Sequence, residues 1–136
     1  MHKLTMFSLA LCLSLVPTTV LATTYDGSVP LLCAIIEVVE CEAGADCQSG
    51  NADSVNLPSF VKVDVPQKVL STTEAAAEQR TTPIRHVEHL DGHLTLQGGE
   101  GRRAWSLIII EGTGKLTATI TDDQVGFVIF GACTPI

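Results

Sequence analysis

The chain has 136 residues, 8 basic against 15 acidic side chains, and a formal net charge of −7. That length suits one domain with one core. The acidic balance argues against nucleic-acid backbones and anionic membranes as partners, because like charges repel.

Met1-His2-Lys3 is a short basic start, Leu4 to Val16 is an apolar run, and Val20-Leu21-Ala22 ends in a small residue. This pattern is that of a secretory signal peptide over residues 1–22, with cleavage after Ala22. A lipid-anchored alternative would modify Cys12, but Leu11 precedes it where a small residue is wanted. The apolar run is too short to span a bilayer, and no other stretch approaches the ~20 residues required. The expected mature domain is 23–136. It loses Lys3 and carries 7 basic against 15 acidic side chains, a formal −8. A soluble protein of the periplasm or the medium is expected, with no membrane span.

Cys33, Cys41, Cys47 and Cys133 remain. Four cysteines in a small exported chain read as two disulfides, with three pairings open. Cys41–Cys47, which closes a short turn-rich loop, and Cys33–Cys133, which ties the first strand to the last, are the favoured pair. In the chain-entropy account the long closure stabilises by about 4–5 kcal/mol and the short one by about 2 kcal/mol. The rival zinc site lacks a Cys-x-x-Cys pair and needs free thiols in an oxidising compartment.

Leu31 to Glu40 reads as a strand apolar on both faces, with Leu32, Ala34, Ile36 and Val38 on one side and Cys33, Ile35, Glu37 and Val39 on the other. Residues 41–56 form a long loop that a disulfide would pin. Phe60 to Val65 alternates as a second strand. Ser71-Thr72-Thr73-Glu74 has capping-box spacing ahead of three alanines and predicts one or two helical turns, ended by Pro83. Asp91-Gly92 between the alternating runs 84–90 and 93–97 is a strong hairpin signal.

The last third, Arg103 to Cys133, predicts three strands. With Gly112-Thr113 as a turn, Trp105 opposes Ile120, Leu107 opposes Ala118, and Ile109 opposes Leu116. With Asp122-Asp123 as the next turn, Ile120 opposes Val125, Ala118 opposes Phe127, and Leu116 opposes Ile129. Both registers gather large apolar groups on one face. The other face carries Ile108, Ile110, Val128 and Phe130, too many for a purely solvated surface. A loop, a second subunit or a ligand is expected over them.

About eight strands joined mostly by short turns predict an all-β fold: an antiparallel up-and-down barrel or a strongly curled sheet, with at most one short helix. A two-sheet β-sandwich is the alternative.

Several stretches together resemble a group of small exported bacterial proteins of uncharacterised function. They are Pro30-Leu31-Leu32-Cys33 with Glu40-Cys41, Asn56-Leu57-Pro58 with Phe60 and Asp64, and Arg80-Thr81-Thr82-Pro83-Ile84. Further along come Asp91-Gly92, Leu96-Gln97-Gly98, Trp105-Ser106-Leu107, Thr113 to Thr117, Gly126-Phe127, and Phe130 to Pro135. The set spans nearly all of 23–136 and implies no particular activity, ligand or partner. The Arg102-Arg103 pair departs from the single arginine that the resemblance would give.

Trp105 with Arg103, Arg80 and Phe127 forms the candidate ligand site, a cation–aromatic or anion-reading patch at a barrel mouth. The plainer reading is a core tryptophan and two surface arginines. His86, His89 and His93 are too spread along the Asp91-Gly92 hairpin to share one ion. The acidic loop with Glu40, Glu42, Asp46, Asn51 and Asp53 lacks calcium-loop spacing. No metal and no cofactor are expected. The chain has no Gly-x-Ser-x-Gly elbow, no His-Glu-x-x-His helix and no phosphate-binding glycine loop. Asp64 or Glu100 could act as acid or base, with nothing to single them out. An enzyme is therefore the weakest of three readings. The first is a binding module for a small apolar or amphipathic ligand. The second is an envelope interaction or inhibitor protein, or a homodimer, using Ile108, Ile110, Val128 and Phe130.

Overall fold

Alternation of apolar and polar side chains becomes nine strands over residues 24–136, the part of the chain that the computed structural model describes. The leader expected over 1–22 and its cleavage after Ala22 lie outside the described residues. The strands are β1 (Leu31–Glu42), β2 (Gln48–Gly50), β3 (Phe60–Asp64), β4 (Val69–Thr72), β5 (Thr81–Leu90), β6 (His93–Glu100), β7 (Arg103–Ile110), β8 (Lys115–Thr121) and β9 (Val125–Pro135). Each pairs antiparallel with its neighbour in the order β2-β1-β3-β4-β5-β6-β7-β8-β9, and β9 returns to β1. Eight strands thus close a barrel, with β2 an extra strand on the upper part of β1. Closure leaves no long sheet edge open, the physical reason a meander of this length curls shut. Among the described residues no helix is long and apolar enough to cross a membrane.

The seam between β1 and β9 runs from Leu31 opposite Pro135 to Glu42 opposite Val125. A bulge interrupts it between Ile35 and Glu37. The extra residue is Ile36, which turns outward and is 67% exposed. The bulge corrects the expected faces of β1. Leu31, Cys33 and Ile35 point in below it, whereas Val38 takes over the buried face above it.

Asp91 and Gly92 both have positive φ, 50° and 75°, as a two-residue hairpin turn of the primed type requires. His86 opposes Gln97, His89 opposes Leu94, and Leu90 opposes His93. In the β7–β8 hairpin Trp105 opposes Ile120, Leu107 opposes Ala118, and Ile109 opposes Leu116. The β8–β9 hairpin differs by two residues from the sequence expectation: Ile120 opposes Phe127, and Ala118 opposes Ile129. The cause is Asp122. Its Oδ1 accepts from the amides of Gln124 and Val125, both at 2.9 Å, and the last ladder pair becomes Thr121 with Gly126, which leaves residues 122–125 between them instead of two. A shift of two keeps every side chain on its expected face.

The helix expected after Ser71 does not form. Ser71 and Thr72 are ladder residues of β4, opposite Lys62 and Val61. Thr72 also exchanges bonds with Arg80, its amide donating to the Arg80 carbonyl and its hydroxyl accepting from the Arg80 amide. Gln79 Nε2 meanwhile donates to the carbonyls of Thr73, Glu74 and Ala76, and a single turn bond from the Ala76 amide to the Thr73 carbonyl, 3.0 Å, is not continued into a helix. The described residues hold one 3-10 turn, Ala52–Val55, capped by the Asn51 side chain.

Two disulfides are present, Cys33–Cys133 and Cys41–Cys47. The first joins directly opposed residues across the closing seam and is buried. The second pins the top of β1 to the start of β2. Both fit an oxidising, extracellular compartment.

The two ends of the barrel are filled differently. At the lower end Leu31, Val63, Leu94, Leu96 and Ile109 have essentially no exposed surface. Each side chain so buried stabilises by about 1.5–3 kcal/mol. The lead-in segment crosses this end. Tyr25 packs against the core, and its amide donates to the Glu111 carbonyl at 3.1 Å. At the upper end Trp105, Ile120 and Phe127 are only half-buried.

Candidate functional site

Residues of a strand two apart share a face, so β7 presents Arg103, Trp105, Leu107 and Ile109 to the interior in one column. The column grades from wet to dry: the Arg103 side chain is 63% exposed, Trp105 half-buried, Leu107 6% exposed and Ile109 fully covered. Beside it β8 contributes Leu116, Ala118 and Ile120, and β9 contributes Phe127 and Ile129. Together they wall a cavity of about 970 Å³ that opens at the upper end. Cys33 and Leu70 lie toward its floor, and Val55 and Leu57 come from the loop around the 3-10 turn. A cavity of this size falls in the range of small-molecule sites.

The indole of Trp105 is placed from two sides. Its Nε1 donates to Thr82 Oγ1 at 3.2 Å. Its six-membered ring lies over Gly98, the residue opposite on β6. A Cβ at Gly98 would sit 2.3 Å from Trp105 Cζ2 and 2.5 Å from the Pro83 carbonyl, so the ring can lie there only over a glycine.

The rim carries three arginines and three carboxylates, Arg80, Arg102, Arg103, Glu78, Glu100 and Asp122. It is charge-balanced on a strongly acidic molecule. Arg80 is committed to structure, donating Nη1 to the Asn56 carbonyl at 3.0 Å and Nη2 to Glu78. That hydrogen bond holds the Glu78 carboxyl below its ordinary range and raises the Arg80 guanidinium. Asp122 is lowered first by the amides of Gln124 and Val125 and then by Arg103 and Arg102. These shifts stabilise charged forms that already tie loops together. They give no acid or base poised near neutrality.

All four residues of the sequence-predicted ligand site, Trp105, Arg103, Arg80 and Phe127, line this one cavity. The second predicted set is divided. Ile108, Ile110 and Phe130 are exposed and line an outer groove of about 570 Å³, whereas Val128 lies higher on β9, half-buried and outside it. Ile36 joins that groove, together with Glu37, His93 and Lys115. Ile36 shares the outward face of Leu32 and Ala34; the bulge turns Glu37 outward beside it and Val38 inward, and an unbroken apolar run gives no mark of a bulge. Among the described residues no group of three metal-ligating side chains converges. His89 Nδ1 meets Glu111 Oε1 at 2.7 Å, and His93 Nδ1 meets the Asp91 carbonyl at 2.9 Å. Asp64, buried, accepts from the Gln67 amide and serves the β3–β4 turn.

The fold and the cavity define a closed eight-stranded antiparallel barrel with one stoppered end and one open, apolar-lined mouth. Comparison with known protein families, curated proteins and solved structures finds no match to the chain.

Proposed function

We propose that this is an exported, non-enzymatic binding module of the periplasm or medium, which holds a small apolar or amphipathic molecule in the upper half of the barrel. One observation carries the reading. The inner face at Trp105, Ile120 and Phe127 is apolar yet left uncovered around a cavity of about 970 Å³, while the lower half of the same interior is filled. Apolar surface held open to water inside a rigid wall is favourable to cover, at about 25 cal/mol per Å².

The chain has a single tryptophan, and it stands at the cavity wall. Titration with the neutral apolar fluorophore N-phenylnaphthylamine should give saturable energy transfer from Trp105. Phe127→Glu, checked for native circular dichroism, should abolish it. Native protein that gives no saturation with this probe overturns the reading.

A second reading rests on the outer groove. Glu37 on β1 and Lys115 on β8 stand on opposite sides of Phe130, with Ile36, Ile108 and Ile110 around them. An apolar patch flanked by one charge of each sign is self-complementary about a twofold axis, and a second copy of the chain is the occupant that it fits. Light scattering should then give twice the monomer mass, and Phe130→Asp should restore the monomer. A monomer at every concentration sinks this reading.

A further inference from the structure

The geometry points to Arg103 as the residue that reads the head of the ligand, and to a medium-length amphiphile with a single carboxylate as the ligand class. This rests on the cavity reading above and adds to it a head group and a direction of entry.

The three rim arginines are not equivalent. Arg80 is a strap: its guanidinium joins the loop bearing Glu78 to the carbonyl of Asn56. Arg102 also lines the rim, but its side chain is 81% exposed and is paired at 3.2 Å with Asp123, a residue outside the cavity lining. Arg103 tops the inner column of β7, directly above Trp105. Its nearest carboxylate oxygen, Asp122 Oδ2, is 3.7 Å from Nε, beyond hydrogen-bond reach. Asp122 has its other oxygen occupied by the turn amides. Among the described residues the two Nη groups of Arg103 have no hydrogen-bond partner. They form a preorganised fork of the shape that a carboxylate matches with two parallel bonds.

The charge of the head follows from its neighbours. Glu78, Glu100 and Asp122 share the rim. Arg103 already faces Asp122 at 3.7 Å, and a dianion such as a phosphate monoester would add two negative charges to a rim holding three arginines and three carboxylates, whereas a monoanion adds one and fits the Arg103 fork. A cationic head would be repelled by Arg103 at the point where the tail enters. The length follows from the column. From Arg103 to Leu107 is four residues, about 13 Å along the strand and about 10 Å of depth at a strand tilt of about 40°. Below Leu107 the interior is filled by Ile109 and Leu94. The tail therefore lies beside Trp105 and Phe127 and stops above the packed half.

The experiment compares decanoate, decanol and decylammonium at neutral pH on the full mature protein, each displacing N-phenylnaphthylamine. Decanoate should bind about tenfold or more tighter than decanol. Arg103→Gln should bring decanoate down to the level of decanol while leaving decanol itself unchanged, and Arg102→Gln should leave both within about twofold. Equal binding of decanoate and decanol, or an unchanged ratio in Arg103→Gln, overturns the head assignment while the cavity reading stands. Failure of the fluorophore to bind at all overturns the cavity reading itself, and this inference with it.

Discussion

The lower and upper halves of this barrel are built from the same strands yet solve opposite problems. On β7 Ile109 has no exposed surface, while Trp105, two inward positions higher, is half-exposed. On β6 Leu94 and Leu96 are fully covered, and the next inward position is Gly98, which supplies no side chain. The lower half has a full complement of aliphatic side chains, a lead-in segment laid across its end and the seam disulfide. The upper half has glycine, threonine and alanine at positions where larger residues would fill the interior. Stability is thus concentrated at one end, and the other end is free to hold something else.

The sharpest way to break that division is to cut the seam. Cys33→Ser with Cys133→Ser removes a crosslink of sequence separation 100, and unfolding in denaturant should show a loss of about 4–5 kcal/mol. Truncation in the packed half should come next. Leu94→Ala leaves a cavity where no surface was exposed and should cost about 2–5 kcal/mol. Phe127→Ala removes a half-exposed ring and should cost about 1–2 kcal/mol in the same assay. Equal losses at Leu94 and Phe127 would erase the distinction between the halves. Gly98→Ala acts on the mouth alone. The new methyl group overlaps the indole, so the Trp105 emission should shift, with a destabilisation of about 1–3 kcal/mol.

The smallest effect expected is one of acidity. The Asp122 carboxyl lies below its ordinary 3.8 because two amides bond to its charged form. A lowered folded value means that its contribution is fully present above about pH 3.8 and is lost as pH falls through the still lower folded value. Amide resonances of Gln124 and Val125 should therefore move only in that acid range, while those of Leu94 and Ile109 stay fixed. Simultaneous movement of all four would mean that the mouth turn does not open on its own.

Much of the frame was legible because strand alternation is strict. Trp105, Leu107 and Ile109 could be paired with Ile120, Ala118 and Leu116 by counting from a turn, and Asp91-Gly92 announces a hairpin by its chemistry. Of three pairings open to four cysteines, the one favoured from a short Cys41–Cys47 loop and a tie between first and last strands is the one present. The missed features are those in which a side chain replaces a backbone partner or an extra residue slips in. Asp122 lengthens a turn by accepting two amides, Gln79 satisfies a loop that reads as helix, and Ile36 bulges inside a run with no alternation to mark it. For the site, the inward column from Arg103 to Ile109 could be read directly. That the column would border open space at its top could not, because the filling of a barrel depends on what the other seven strands place opposite.

The closing ladder joins the first strand to the last, and this dictates when the molecule can exist. Strands β3 to β8 can assemble hairpin by hairpin as they emerge, since each partner is adjacent in the chain. β1 also pairs with β2 and β3, but its seam partner β9 lies far along the chain, with Cys33 and Cys133 separated by 100 residues. Closing the ring is therefore the long-range step of folding, which must wait for the hairpins between those two strands.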